Sequence, residues 1–276
     1  MKIKALKKLR NKLKSNEPIY GLWVTLESPS ITEMAVSIGM DWVLIDAEHG
    51  HLDWKDISAH ISAAMRSDTV VIVRIAERST ALSKRALDIG ADGIMIPWME
   101  SVEEVEKAVR DCNYPPEGRR GIGGERATAW GQCLKEHTAE ANENVLVIPM
   151  IESIDAVPNV SNMCKVDGVE IFFFGPADFS STAGFRGQWE GPGIAEKILE
   201  LKNIIKDSGK YCGVVSTSNQ NLTDRLDQGF QMLAIGTDGG LMLRSLHESL
   251  KKVNRDRSAA TSLDPIDGHD LPNSNN

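Results

Sequence analysis

The 276-residue sequence predicts an α/β fold, a (β/α)8 TIM barrel with a short N-terminal helix and a flexible C-terminal tail. Three observations carry this prediction. Short apolar segments alternate with segments of helical periodicity, a joint of helix end, glycine and strand recurs, and eight such units occupy about 230 residues, the size of this barrel. A doubly wound open sheet is the alternative, but no GxGxxG follows the first predicted strand.

The predicted strands are short, continuous apolar segments rich in Val, Ile and Phe. This composition is typical of parallel strands that are buried on both faces, whereas half-exposed strands alternate apolar and polar residues. The eight segments span residues 19–26, 42–46, 70–75, 93–98, 145–151, 169–175, 212–216 and 232–236.

Segments with helical periodicity lie between and after these strands. Gly39, Gly90 and Gly229 stand in the joints SIGMDWVLID, DIGADGIMIP and DQGFQMLAIG, where glycine can adopt the left-handed conformation that ends a helix. The predicted helices span residues 31–38, 54–65, 80–89, 102–112, 154–164, 194–207, 222–228 and 241–253.

Three segments fall outside this alternation. Residues 1–17 carry Leu6, Leu9 and Leu13 on one helical face among lysines. This pattern indicates either a membrane-surface helix or, as we expect from its narrow face without aromatics, a helix that closes one end of the barrel. Residues 114–144 form a long excursion typical of a lid or an interface. We expect one domain over residues 1–253 and a flexible tail over 254–276.

Composition argues against several classes of protein. The chain has 31 basic and 39 acidic side chains, a net charge of −8, which does not suit a nucleic-acid partner. No apolar run approaches the ~18 residues that a membrane span needs. Cys112, Cys133, Cys164 and Cys212 show no CxxC spacing. We therefore expect free thiols in a reducing, cytoplasmic compartment.

Charged side chains follow several predicted strands at the point where each strand ends. Because the carboxyl ends of barrel strands meet at one face, and chemistry is found at that face, we expect these side chains to lie close together. They are Asp46, Glu48, His49, Arg74, Glu152 and Asp178.

Glu152 and Asp178 come from neighbouring strands, so their carboxylates can meet. Two oxygen ligands without His or Cys beside them suit Mg²⁺ or Mn²⁺, with water and substrate completing the coordination. The alternative is a helix-start role for Glu152, where an acidic residue is favourable in any protein.

His49 follows Asp46 by three residues, and a carboxylate near a histidine raises the basicity that a general base requires. The alternative is an ordinary surface histidine. Arg74 suits a carboxylate or a developing enolate oxygen. Its alternative is a structural ion pair, for which Asp88 is a candidate, and both roles can hold together.

Two glycine-containing turns are candidate anion sites. Gly175, Pro176 and Ala177 precede a possible short helix whose backbone N–H groups could hold a substrate carboxylate, although a plain tight turn explains the sequence equally well. IGTDGG at residues 235–240 is similar to a phosphate-binding turn. No lysine falls in a predicted strand, which argues against a Schiff-base aldolase, and no GxSxG is present.

At these residues the chain resembles the HpcH/HpaI family of metal-dependent 2-oxo-acid aldolases. The resemblance covers roughly residues 5–250 and is carried by IDxEH, YPPxGxRG and GPxD in this order. The longest matching stretches are GLWVTLESPSITEMAVSIGMDWVLIDAEHG at 21–50, ALDIGADGIMIPWMESVEEVEKAV at 86–109, PMIES at 149–153 and FFGPADFS at 173–180.

The resemblance implies a barrel that binds a pyruvate-type ligand on a divalent metal, Mg²⁺ or Mn²⁺ with Co²⁺ as a further option. It implies that Glu152 and Asp178 hold the metal, that His49 with Asp46 forms the base, and that Arg74 stabilises the enolate. It also indicates a homo-oligomer, a hexamer that exchanges C-terminal helices. The expected ligands are a small 2-oxo acid and an aldehyde, with Trp23 and Val215 among the substrate-binding residues.

This chain departs from the family pattern at Met150, where many members have glutamine. The resulting expectation is an aldolase that cleaves or forms 4-hydroxy-2-oxo acids through a pyruvate enolate. Two alternatives remain open: other enolate chemistry on the same site, such as oxaloacetate decarboxylation or cleavage of a malyl-type thioester, and a catalytically idle barrel that acts as a binding protein.

Overall fold

A computed structural model describes residues 1–255 and contains a closed barrel of eight parallel strands, each paired with the next and β8 with β1. The predicted barrel is therefore confirmed. The strands are β1 (Ile19–Val24), β2 (Trp42–Asp46), β3 (Val70–Arg74), β4 (Gly93–Ile96), β5 (Leu146–Ile151), β6 (Ile171–Phe174), β7 (Tyr211–Val215) and β8 (Met232–Thr237).

The strands are almost entirely buried, as their continuous apolar sequences predict. The register of neighbouring strands decides which side chains meet at the barrel ends. The last residues of β2 and β3, Asp46 and Arg74, stand directly opposite each other. Met150 on β5 pairs with Phe173 on β6, below the end where Glu152 follows β5.

Eleven α-helices accompany the strands in the described residues. They are α1 (Ile3–Lys14), α2 (Pro29–Ser37), α3 (Trp54–Ala63), α4 (Thr80–Asp88), α5 (Val102–Cys112), α6 (Leu134–Asn144), α7 (Val160–Met163), α8 (Pro176–Thr182), α9 (Ile194–Asp207), α10 (Asn219–Asp227) and α11 (Asp238–Lys252).

The structure differs from the prediction in two segments. The helix expected over residues 154–164 is a 3-10 helix over Ile154–Asn159 followed by the short α7, because Pro158 lacks the backbone N–H that a continuous α-helix requires. The excursion over 114–144 is not all loop, since it contains α6. The polar sequence LKEHTAEANEN of α6 has little of the apolar periodicity that marks a helix in a sequence.

Helix α1 closes the N-terminal end of the barrel, as expected. Leu6, Leu9 and Leu13 are buried in the same core cluster as the inward side chains of the strands. Four basic residues of this segment bind acids that stand just before strands or at helix–strand joints. These pairs are Lys2–Asp92, Lys8–Asp68, Arg10–Glu170 and Lys12–Asp41.

The chain forms two compact units, Met1–Gly239 and a second that starts at Gly240. The expected single domain over 1–253 stays a prediction. Most of the tail expected over 254–276 lies outside the described residues. Within residues 1–255, no helix is both long and apolar enough to cross a membrane.

Candidate active site

Arg74 and Asp46 form a buried ion pair at the C-terminal end of β2 and β3. Arg74 Nε donates to Asp46 Oδ1 at 2.9 Å, and Arg74 Nη2 donates to Asp46 Oδ2. The relative exposure is 4% for Arg74 and 1% for Asp46. A two-pronged bond of this kind fixes both the position and the plane of the guanidinium.

Asp46 also organises its surroundings. Its Oδ2 accepts from Trp23 Nε1 at 3.0 Å, and its Oδ1 accepts from the backbone amides of Glu48 at 2.9 Å and His49 at 3.3 Å. Burial alone would raise the pKa of Asp46, but the hydrogen bonds and charge of Arg74 hold that pKa below its usual range. Asp46 therefore keeps its negative charge, and its hydrogen bonds hold the carboxylate in place.

Glu48 is a second acidic partner of Arg74. Its Oε2 lies 2.8 Å from Arg74 Nη1. The pKa of Glu48 is raised by burial and by the negative charges of Asp46 and Asp178, against the lowering effects of Arg74 and His49. Glu48 therefore lies within electrostatic reach of all four of these side chains.

Two side chains have other partners than the sequence suggested, and the structural ion pair considered for Arg74 is present with Asp46 and Glu48. The two oxygens of Asp46 bind Arg74, Trp23 and backbone amides, so the Asp46 carboxylate holds the loop that carries His49 rather than the imidazole ring, and His49 is exposed. Asp88 is not the partner of Arg74 but of Arg120, at 2.8 Å. The reason is geometric: Asp46 faces Arg74 directly in the strand register.

Glu152 follows β5 and is 1% exposed. Its Oε1 accepts from the backbone amide of Trp98 at 2.8 Å, and Trp98 adopts the left-handed conformation with φ 54°. A Cβ at Gly175 would lie 2.5 Å from Glu152 Oε2, so glycine at this position makes room for the carboxylate. Burial, with smaller effects of Glu48 and Asp178, raises the pKa of Glu152 to about 7.

Asp178 lies in the first turn of α8 and is partly exposed. Its charge raises the pKa of both Glu48 and Glu152, which brings the two predicted metal ligands into one electrostatic cluster. The Gly175 amide donates to Ile151 O at 3.1 Å, and Pro176 has no N–H to offer. Of the three residues of the predicted anion site, Ala177 is left to offer a backbone amide, and the site stays a prediction.

The donor set fits a divalent cation that prefers oxygen ligands. Asp46 and Glu48 contact Arg74, and Glu152 and Asp178 lie within electrostatic reach of Glu48, so carboxylates outnumber the guanidinium. Burial is the main cause of the raised pKa values of Glu48 and Glu152, and the neighbouring carboxylates add to it. Residues 1–255 contain no group of three or more His, Cys, Asp or Glu arranged to hold a metal ion. Two carboxylates with solvent and substrate oxygens are a usual arrangement for Mg²⁺.

Met150 and Val215 face the interior of the barrel below this cluster. Met150 is 2% exposed and belongs to the apolar core, and the partly buried Val215 packs against the same core at the end of β7. The thioether at position 150 therefore makes the floor of the site apolar.

The IGTDGG turn, similar in sequence to a phosphate-binding turn, is organised by its own carboxylate. The carboxylate of Asp238 accepts from the amides of Thr25 and Leu26 at 3.0–3.1 Å and from the Thr25 hydroxyl at 2.7 Å. A carboxylate at this point repels phosphate. Asp238 instead ties the loop after β1 to the end of β8.

Two features of the site could not be found in the sequence. Trp98 supplies the amide that holds Glu152, but a left-handed tryptophan leaves no sequence signal because a backbone amide belongs to every residue except proline. Glu48 stands in IDxEH beside the predicted residues, and its pairing with Arg74 depends on the strand register.

A TIM barrel with convergent charged groups at the C-terminal ends of its strands has the architecture of an enzyme. Residues 19–245 match the HpcH/HpaI aldolase/citrate lyase family. The chain therefore belongs to this family of carbon–carbon lyases, and the resemblance seen in its motifs is confirmed.

Curated relatives and solved structures agree with this assignment. The chain is 33% identical over 242 residues to the hydroxypyruvate/pyruvate aldolase of Roseobacter denitrificans, covering 87% of this chain and 94% of the relative. It is 34% identical over 241 residues to the 4-hydroxy-2-oxovalerate aldolase of Novosphingobium aromaticivorans, covering 87% and 91%. A crystal structure of a family member from Burkholderia cenocepacia superposes with a TM-score of 0.85 at 30% identity, covering 90% of this chain and 99% of that chain.

Proposed function

We propose that the chain is a divalent-metal-dependent aldolase that cleaves or forms 4-hydroxy-2-oxo acids, with pyruvate and an aldehyde as the other side of the reaction. The observation that carries the proposal is the excess of carboxylate charge around Glu152 and Asp178, beside an arginine that Asp46 fixes in place. Relatives named as aldolases of hydroxypyruvate, pyruvate and 4-hydroxy-2-oxovalerate support the substrate class.

Glu152 and Asp178 would hold the cation, for which Mg²⁺ or Mn²⁺ is the best match and Co²⁺ is also suitable. When bound, such a cation supplies electrostatic stabilisation for negative charge that develops on a 2-oxo acid. The amide of Trp98 holds one oxygen of Glu152, which leaves the second oxygen for this role.

Arg74 binds and orients the anionic substrate. Its Nε and Nη2 are committed to Asp46 and its Nη1 lies at Glu48, so the guanidinium cannot swing as a free surface arginine does. A prearranged donor costs no reorganisation when charge develops on the substrate, which is the largest contribution that such a group makes to catalysis. Arg74 therefore stabilises the pyruvate enolate.

His49 is the general base in the cleavage direction. Its imidazole takes the proton from the 4-hydroxyl group, the C3–C4 bond breaks to release the aldehyde, and the bond electrons form the enolate of pyruvate. A proton then adds to C3 to give pyruvate. Asp46 contributes by anchoring the His49 backbone amide at 3.3 Å, which keeps the loop of the base beside Arg74.

We also propose a homo-oligomer in the cytoplasm. Within the unit that starts at Gly240, helix α11 exposes Met242, Leu243, Leu246 and Leu250 by 38–55%, a face that an identical subunit would cover. A hexamer is the assembly that the family implies. All four cysteines are free, which suits a reducing compartment.

A coupled assay tests the reaction. Pyruvate released from a panel of 4-hydroxy-2-oxo acids is measured with lactate dehydrogenase, after dialysis against chelator and after addition of Mg²⁺, Mn²⁺ or Co²⁺. We expect activity only with metal. Activity that survives complete chelation contradicts the metal requirement, and inertness toward every substrate with all three metals favours a binding protein.

A second substrate separates the aldolase from other enolate chemistry. Oxaloacetate yields the same enolate by loss of carbon dioxide and needs no base at a 4-hydroxyl group. We therefore expect His49→Ala to abolish cleavage of the hydroxy acids and to spare oxaloacetate decarboxylation. Equal loss of both activities contradicts the role given to His49.

A further inference from the structure

We propose that Trp23 is a positioning residue that fixes the guanidinium plane of Arg74, rather than a residue that acts on the substrate directly. The inference rests on the proposed function and deepens it, because it concerns the arginine that stabilises the enolate. It is carried by a closed set of contacts among Trp23, Asp46 and Arg74.

The three side chains contact one another in a triangle. Arg74 Cζ lies 4.7 Å from the centroid of the Trp23 ring, so the indole covers the guanidinium. Trp23 Nε1 donates at 3.0 Å to Asp46 Oδ2, the same oxygen that accepts from Arg74 Nη2. Trp23 thus stacks on the guanidinium of Arg74 and also donates a hydrogen bond to the Asp46 carboxylate that binds this guanidinium.

The triangle is isolated from water, so its contacts are strong. Trp23, Asp46 and Arg74 are 6%, 1% and 4% exposed. A cation over an aromatic face and a hydrogen bond to a carboxylate both gain strength when solvent is removed. The small exposed fraction of Trp23 also leaves little of the ring for contact with a ligand.

The barrel itself aims the indole. Trp23 on β1 is opposite Leu44 of β2, and β2 is the strand that lies between Trp23 and Arg74. On the other side of β1, the pairing with β8 is irregular between Gly21 and Trp23. Irregularities of this kind re-aim a strand side chain. The ring also packs against Phe173 of β6, with 5.7 Å between the ring centroids, so it contacts a strand on the other side of the barrel.

Two acids hold Arg74 at different nitrogens, so the plane of its guanidinium depends on the balance between them. Asp46 binds Nε and Nη2, while Glu48 lies 2.8 Å from Nη1. The indole favours the arrangement in which Asp46 keeps both of its bonds, because its N–H stabilises that carboxylate and its ring blocks one face of the guanidinium. Loss of the indole frees the guanidinium to turn toward Glu48.

A double-mutant cycle tests the inference. The variants are Trp23→Phe, which keeps an aromatic face and removes the N–H, Trp23→Leu, which removes both, Arg74→Lys, and the combination of Trp23→Leu with Arg74→Lys. Trp42→Phe is the matched control, because Trp42 is a fully buried indole that also packs against Phe173, at 6.3 Å. The assay follows exchange of the pyruvate methyl hydrogens in D₂O with Mg²⁺, which needs no aldehyde.

We expect Trp23→Phe, which loses one hydrogen bond, to lower kcat for exchange by about fivefold. Trp23→Leu loses the cation–π contact as well, and we expect it to lower kcat by about 30-fold. The KM for pyruvate should change less than about threefold if Trp23 does not bind substrate. In the Arg74→Lys background, Trp23→Leu should lower kcat by no more than about twofold. Trp42→Phe should retain the wild-type rate.

Equal losses in the two backgrounds, or a loss confined to KM, contradict the positioning role and favour direct substrate contact. Crystal structures of both Trp23 variants give a readout that needs no activity. We expect Arg74 to keep its Asp46 bonds in Trp23→Phe and to lose at least one in Trp23→Leu, so an unmoved Arg74 in Trp23→Leu overturns the inference. Wild-type protein that is inert in exchange instead counts against the proposed function, and the crystal structures still decide the inference.

Discussion

The two ends of the barrel both gather charged side chains, but only the N-terminal end matches each acid with a base. There, Asp41, Asp68, Asp92 and Glu170 each bind a basic residue from the segment that contains α1. At the C-terminal end, by contrast, the single guanidinium of Arg74 contacts two carboxylates, those of Asp46 and Glu48.

The difference shows in the pKa values of the acids. Asp46 and Glu48 contact Arg74, and burial, reinforced by neighbouring carboxylates that include Asp178, raises the pKa values of Glu48 and Glu152. A balanced end stabilises the fold, whereas an unbalanced, buried end costs stability unless a ligand supplies the missing charge. The contrast therefore separates the part of the charge pattern that closes the barrel from the part that serves chemistry.

The largest effect is expected from removal of charge at the C-terminal end. Glu152→Gln keeps the shape of the side chain and removes the charge, so we expect kcat/KM for aldol cleavage to fall by about 10³-fold, with weaker Mn²⁺ binding by calorimetry. Glu170→Gln at the opposite end is the control and should retain activity. Comparable losses in both variants would remove the functional distinction between the two ends.

The unbalanced end should also make stability depend on pH. Burial raises the pKa of Glu152 to about 7, so between its ordinary pKa and 7 the folded chain binds a proton that the unfolded chain has released. This contribution is present at low pH and is lost as the pH rises through 7.

Urea unfolding in chelator measures this loss. From pH 5 to pH 8 the free energy of unfolding of the wild type should fall by about 3 kcal/mol relative to Glu152→Gln. Added Mn²⁺ should reduce the fall. Parallel pH curves for the two proteins would mean that Glu152 is not the buried acid that the structure describes.

At the N-terminal end the main contribution is apolar. Leu6 of α1 is fully buried in the barrel core, so Leu6→Ala should lower the free energy of unfolding by about 3 kcal/mol. Because this end takes no part in the chemistry, kcat at 25 °C should stay within about twofold. A matched change at an exposed position, Ile38→Ala directly after α2, should leave stability nearly unchanged.

The smallest effect belongs to the surface ion pairs of the same end. Lys12 Nζ lies 2.8 Å from Asp41 and 3.2 Å from Glu17, and the Lys12 side chain keeps 28% of its exposure. Lys12→Met should therefore cost less than about 1 kcal/mol of unfolding free energy, and less still at high salt. A larger, salt-independent loss would show that charge pairing rather than packing holds α1 in place.

Much of the fold was predictable because buried parallel strands are encoded as continuous apolar runs. The strands predicted at 42–46 and 232–236 match the observed β2 and β8 within one residue. The excursion at 114–144 was harder, because α6 has few apolar residues and its helix depends on the surroundings. The continuous helix predicted over 154–164 was wrong, because its apolar periodicity gave no sign that Pro158 interrupts the α-helix.

The candidate site divides in the same way. The sequence by itself determined which chemistry-bearing residues reach the C-terminal end, since strand order and strand ends follow from the apolar pattern. Only the tertiary structure decided their partners, because Asp46 and Arg74 are 28 residues apart and Trp98 and Glu152 are 54 residues apart. Pairing at such distances depends on strand register and side-chain direction, so Asp46 holds Arg74 and the loop of His49 instead of the imidazole ring.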